Sequence, residues 1–155
     1  DSAKRYDVKG KKYFETPLKY YMADVGLRNA RLNFRQVEEN HIMENVIFNE
    51  LKVRGYSVDV GVVESKETIE GKRKLKQLEI DFVANKGSKK YYIQSAYEMP
   101  TEEKLRQEKR SLIKVGDSFK KIVVVKDNIR PQTDEEGIVT MGLINFLLDQ
   151  NSLEL

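Results

Sequence analysis

Glu44, Asp81 and Gln94 are the residues whose types and spacing could do chemistry together. Glu79, Asp81 and Val83 alternate with Leu78, Ile80 and Phe82, so a strand through them sends the two acids to the face opposite the three apolar side chains. Two carboxylates side by side can hold a divalent cation. If Gly87-Ser88 form a two-residue hairpin turn, Lys86 faces Lys89, Asp81 faces Gln94 and Glu79 faces Ala96. Directly opposed residues have Cβ atoms about 5 Å apart, so Asp81 and Gln94 are expected shoulder to shoulder on one face. Glu44 falls inside the apolar arc of a helix, beside Leu51 and between Ile47 and Phe48, where an uncompensated carboxylate is costly to bury. A metal ion, or a hydrogen-bond network with Asp81 and Gln94, would compensate it. The plainer reading of Asp81 is a strand-face acid paired with a nearby lysine.

Composition narrows the chemistry. The chain has 155 residues with 39% hydrophobic content and no cysteine, enough for one core without disulfides and incompatible with cysteine-ligated metal. His41 is the single histidine, so a multi-histidine metal site cannot form within one chain; it is placed at the start of its helix. No G-x-x-x-x-G-K-[ST] phosphate loop occurs, so the chain is expected not to bind ATP by itself. The formal charge of +3, from 28 basic and 25 acidic residues, does not by itself imply nucleic acid. The cluster Lys72, Arg73, Lys74 and Lys76 could contact phosphates, whereas the neighbouring Glu64, Glu67 and Glu70 favour an ordinary solvated loop. No apolar run approaches the roughly 20 residues that span a bilayer, and the first residues lack a signal-peptide core. A cytoplasmic domain without membrane contact is expected.

These groups need elements to hold them. Thr16-Pro17 reads as the N-cap and first position of a helix over 17–25 ending at Gly26, followed by a polar connector to Gln36. A second helix runs from about Val37 to Arg54, with Ile42, Met43, Val46, Ile47 and Leu51 at helical spacing. Glu50 also lies in its apolar arc and is expected to clamp an arginine or a loop. Strands follow at 57–63, 78–86 and 89–97, with 64–77 read as a charged loop centred on Gly71. Thr101 caps a helix to Gly116, and 119–127, a short strand at IVTMG and the helix LINFLLD complete the chain. Adjacent tyrosines, Tyr20-Tyr21 and Tyr91-Tyr92, are expected to split between core and surface. The resulting division is an N-terminal extension at 1–36, an α/β domain at 37–150 and a tail at 151–155. The order α-β-β-β-α-β, with a parallel crossover through 101–115, predicts a mixed sheet flanked by helices.

A helix glutamate followed by a hairpin bearing an aspartate and an acid-x-lysine resembles the PD-(D/E)xK, restriction-endonuclease-like superfamily. By that resemblance Glu44 matches the helix glutamate and Asp81 the metal-binding aspartate, while Gln94-Ser95-Ala96 occupies the acid-x-lysine position. In the family the acids hold magnesium and the lysine positions or activates the attacking water. Glutamine offers one neutral oxygen in place of a carboxylate, and Ala96 offers nothing. The strings YFETPLKYYMADVGLRNARL, IMENVIFNELKVRGYSVDVG and EIDFVANKGSKKYYIQSAY, with the ending GIVTMGLINFLLD, also resemble the C-terminal domain of unknown function attached to prokaryotic AAA+-type ATPases. That resemblance implies that an ATPase module, which would bind ATP, and a winged-helix segment precede residue 1.

Three functions follow as expectations. The first is a non-catalytic binding or regulatory domain on a degenerate nuclease-like scaffold, recognising DNA, RNA or another protein beside its ATPase. The second is a metal-dependent endonuclease with a variant site of Glu44, Asp81 and Gln94, completed by a lysine from elsewhere. The third is a structural or oligomerising module whose polar cluster fixes helix 37–54 on the sheet.

Overall fold

Runs of β-branched and aromatic residues such as VDVGVV (58–63), YYI (91–93) and IVVV (122–125) suit strands buried on both faces. The computed structural model describes residues 1–35, 38–69, 72–99 and 101–155. Its elements are β1 (Ser2–Asp7), β2 (Lys12–Tyr20), α1 (Val25–Arg31), α2 (Glu39–Val53), β3 (Ser57–Ile69), β4 (Lys72–Lys86), β5 (Lys89–Ala96), α3 (Glu102–Lys114), β6 (Lys120–Val125), β7 (Gln132–Thr133), β8 (Ile138–Gly142) and α4 (Leu143–Leu148). Among the described residues the strands form one mixed sheet, ordered β2-β1-β3-β4-β5-β6-β8-β7. From β3 to β5 it is an antiparallel meander, and β5 to β6 is a parallel step crossed by α3. This is the expected α/β class, a mixed sheet flanked by helices. No helix among the described residues is long and apolar enough to cross a membrane.

The two faces carry separate cores. Ile47, Phe48 and Leu51 of α2 and Phe146 of α4 pack with Phe82, Ala84 and Ile93. On the other face Leu112 of α3 packs with Val63, Ile80, Val83, Tyr92 and Val123. Full burial of such a side chain contributes roughly 1.5–3 kcal/mol. Tyr91 and Tyr92 are both buried, one in each layer, as strand alternation requires. Tyr20 and Tyr21 do divide between solvent and core, at 76% and 5% exposure.

Of the expected helix at 17–25, residues 17–20 instead end the strand β2 and 21–24 lie in no regular element, and α1 starts only at Val25, capped by Asp24 accepting from Leu27 N. Pro17 misled because a proline suits a first helical turn and equally an edge strand, where no partner needs its missing N–H. β2 is that edge, and its register against β1 slips between Arg5↔Phe14 and Ala3↔Lys19, so the surplus residues around Pro17 bulge out. The charged stretch read as a loop at 64–77 is a continuation of β3 and β4 as a two-stranded ribbon, paired from Glu64↔Gln77 to Ile69↔Lys72. The neighbouring β1 pairs only with Val60, Gly61 and Val62, and β5 only from Phe82 onward, so the ribbon projects beyond the sheet. Gly71, Gln36 and Val37, and with them the boundary drawn at 36/37, lie outside the described residues.

One irregularity sets the site. Asp59 pairs with Val83 but Gly61 pairs with Ile80, so β4 holds an extra residue at Asp81-Phe82. A bulge turns consecutive side chains toward the same side. Ile80 and Val83 belong to the α3-side core and Phe82 to the α2-side core, which leaves Asp81 beside Phe82 on the α2 side. A Cβ on Gly61, opposite the bulge, would lie 2.9 Å from Val83 Cγ2 and 3.0 Å from Ile80 Cβ, so glycine is what lets the strands approach there.

Candidate functional site

Each polar group is held by a core neighbour. Tyr21 follows β2, stacks on Phe48 at 4.0 Å and donates its hydroxyl proton to Glu44 Oε1 at 2.7 Å. The amide of Asn45 closes on Met22 from both sides, donating to its carbonyl at 2.7 Å and accepting from its N–H at 2.9 Å. The N-terminal hairpin is thereby docked on α2, one residue from Glu44.

Docking places Lys19 among the acids. Its ammonium lies 2.6 Å from Glu44 Oε1, 3.1 Å from Glu79 Oε1 and 3.7 Å from Asp81 Oδ1. Arg5 reaches Glu79 Oε2 at 2.6 Å. Asp81 Oδ2 accepts from Ser95 N at 2.8 Å, replacing a ladder bond just where the β4–β5 pairing stops at Phe82↔Ile93. Burial, and then the Glu44 charge, push the Asp81 carboxyl up to about 7 despite Lys19 and the Ser95 N–H. Glu79 goes the other way: burial raises it, but Lys19 and Arg5 together hold it below the usual carboxylate range. Lys19 stays raised because its three acidic neighbours outweigh burial. Tyr21 is driven well above the phenol range by burial and by Glu44, so it remains a donor.

Glu44 and Asp81 are therefore brought together as the sequence predicts, with Glu79 joining them. Gln94 is not brought to the carboxylates. Ile93 faces the α2 side, and Gln94 and Ala96 pair with Val123 and Val125 of the α3-side core, which puts both residues on the opposite face by alternation. Gln94 meets Asp81 only at the backbone, its Oε1 3.4 Å from Asp81 N. The expectation that Asp81 and Gln94 share a face assumed an unbulged β4. Lys19 is the group that sequence reasoning missed; it lay inside the stretch read as a helix, far from the hairpin in sequence.

Divalent metal does not fit this arrangement. Lys19 stands between the carboxylates, Glu44 Oε1 already takes two donors, and the neutral oxygen expected from Gln94 serves a backbone N–H. Glu50 clamps Arg54 at 2.8 Å, as expected of an acid in the apolar arc. Arg54 in turn donates to Ser152 Oγ at 2.9 Å and to the Phe146 carbonyl, fastening residues 151–154 to α2. His41 pairs with Glu38 at the exposed start of α2. Of the basic cluster, Lys74 and Lys76 are solvent-exposed on the ribbon.

Comparison with known proteins yields one relative, described as an uncharacterized protein, from Haemophilus influenzae. It is 36% identical over 146 residues, which make up 94% of this chain and 32% of the relative. The chain thus spans about a third of the length of the curated relative it matches. No family model matches the chain, and no solved structure matches it.

Proposed function

We propose that this chain is an accessory binding domain on a degenerate restriction-endonuclease-like scaffold, without metal-dependent catalysis, carried by a longer AAA+-type ATPase. The observation that carries the reading is the ammonium of Lys19 seated among Glu44, Glu79 and Asp81. An internal cation in that place compensates the acids as a metal would, but it offers no open position for water or a phosphate. Helix α2 carries Glu44 and the β4–β5 hairpin carries Asp81, and it is on a helix glutamate followed by a hairpin aspartate that the superfamily resemblance rests. Ala96 is buried at 2% exposure in the opposite core, so the acid-x-lysine position contributes neither charge. A longer parent protein accords with the Haemophilus relative, two thirds of which lies outside the match.

The binding surface we assign is the ribbon, where Lys66, Lys74 and Lys76 are exposed beside Leu75 at 59% exposure. Two-stranded ribbons fit a nucleic-acid groove, and lysines on them release counterions from phosphates. The test uses three proteins: wild type, Asp81→Ala, and a variant whose residues 66–75 are replaced by Asn-Gly between the paired Ser65 and Lys76. Wild type is expected to bind duplex DNA or RNA with a salt-dependent affinity that the ribbon variant loses, and to cut neither in magnesium or manganese. Cutting that Asp81→Ala abolishes would replace the reading with a working nuclease. Equal binding by the ribbon variant would remove the ribbon as the contact.

A further inference from the structure

Away from the acidic cluster, on the α3 face of the sheet, a cavity of about 430 Å³ is lined by Tyr6, Lys11, Tyr13, Ser57, Asp59, Asn85 and Lys90. Five strands and one turn converge there. Tyr6 and Tyr13 are cross-strand partners on β1 and β2, with ring centroids 5.1 Å apart. Ser57 of β3 pairs with Asn85 of β4, and Asn85 with Lys90 of β5. Lys11 lies in the β1–β2 turn.

The chemistry of this lining is mixed in an informative way. Asp59 is 8% exposed and accepts from the Tyr13 hydroxyl through Oδ2 at 2.9 Å, leaving Oδ1 as a second acceptor. Burial lifts its carboxyl above the usual range even against Tyr13, Lys4 and Lys52, and burial with the Asp59 bond pushes Tyr13 up to about 12. The pair is therefore a fixed hydroxyl-to-carboxylate bond with room for one more donor. The side chains of Lys11, Ser57 and Asn85 make no hydrogen bond to other described residues. Lys90 lies 5.6 Å above the Tyr6 ring and 5.2 Å above that of Phe119.

An acceptor, an amide, two aromatic faces and two ammonium groups in a cavity of this size suit a ligand that is planar, carries N–H donors on one edge and is anionic elsewhere. We propose that this cavity binds a nucleotide whose base bears an exocyclic amino group. Asp59 and Asn85 read the base edge, Tyr6 and Tyr13 give it an apolar wall, and Lys11 and Lys90 meet the phosphate. The nucleotide is either free or one unit of a single strand, since both present the same groups. This site stands apart from the acidic cluster, and it holds whether or not the ribbon binds nucleic acid.

Calorimetric titration of the folded chain with CMP, UMP and a short oligomer of dC tests it. CMP offers an amino group at the position where UMP carries a carbonyl, so CMP is expected to bind at least about tenfold more tightly. Asp59→Asn, checked for an unchanged thermal melt, should erase that preference. Lys90→Ala should weaken both nucleotides by a similar factor and keep the preference; as a more exposed change, it preserves the test if Asp59→Asn fails to fold. Tighter binding of the oligomer than of CMP would identify strand as the source, and equal binding the free nucleotide. Equal affinity for CMP and UMP, or no binding of either or of the oligomer at about 1 mM, overturns the proposal.

Discussion

Lys19 places one positive charge among three acids that would otherwise repel one another, and its removal should expose that repulsion. Lys19→Met keeps the length of the stem and deletes the charge. Loss of a charged hydrogen-bond partner costs about 1–3 kcal/mol, and the lower end is expected because the Lys19 side chain remains 28% exposed. Urea denaturation measures the loss, and Lys19→Met combined with Glu44→Gln should recover part of it, since the two changes act on one contact. An additive double mutant would mean that Lys19 and Glu44 do not interact. Asp81 predicts a pH dependence of definite sign. Its carboxyl titrates near 4 unfolded and at about 7 folded, so the folded state holds the proton through that window. Its contribution is fully present below about pH 4 and is lost as pH rises to about 7, by at most about 1.4 kcal/mol per pH unit. Asp81→Asn retains an oxygen for Ser95 N and removes the titration. The stability of the variant relative to wild type should therefore be greater at about pH 8 than at about pH 5, and parallel stabilities at the two pH values would refute the raised carboxyl.

Helix α2, the 87–88 turn and the Thr101 cap were legible because each is specified by neighbours in sequence: apolar spacing, a turn dipeptide with Gly87 at φ +58°, and a hydroxyl that accepts from Lys104 N. β2 was not legible, because Leu18, Tyr21, Met22 and Val25 mimic a helical stripe and the partners that make the segment a strand lie in β1. The bulge in β4 was hidden for a related reason. Nothing in LEIDFVA marks where alternation fails; the misfit arises only against β3, where Gly61 makes room. That hidden step moved Asp81 away from Gln94 and toward Lys19, so the identities of Glu44 and Asp81 could be read from sequence but the group completing their cluster could not. The join between β8 and α4 offers a comparable test of tertiary constraint. A Cβ on Gly142 would lie 2.4 Å from the Asp127 carbonyl oxygen and 2.9 Å from Ile129 N, both backbone atoms that cannot rotate away. Gly142→Ala should cost about 1–3 kcal/mol by overpacking. Gly116→Ala meets nothing within 4 Å and should fall within about 0.5 kcal/mol of wild type. Equal denaturation midpoints for the two variants would contradict the close approach at Gly142.

The N-terminal hairpin contributes to both faces of the molecule. On the α2 side it supplies Lys19, Tyr21 and Arg5 to the acidic cluster, and Tyr21 covers Phe48. Toward α3 it supplies Tyr6 and Tyr13 to the nucleotide-sized cavity, while Val8 packs with Val63 and Ile80. Between the faces, β1 hydrogen-bonds along β3 at Val60, Gly61 and Val62. The β1–β2 hairpin, which sequence patterning assigns to an extension over 1–36, is thus tied to the sheet through edge, core and charge at once. A fragment beginning at residue 37 would expose the β3 edge, with Val60 and Val62 on it, and such an edge is a template for pairing with another chain. It would also strip Lys19 and Tyr21 from Glu44 and the Tyr21 ring from Phe48, on the same helix that anchors the main core. The fragment is expected to lose its cooperative thermal transition or to self-associate, whereas the full chain melts in one step. Sedimentation of both proteins alongside calorimetric melts distinguishes the outcomes. A monomeric fragment with a sharp transition near that of the full chain would show that the hairpin is an appendage, and the cluster around Lys19 would then be a contact between two units.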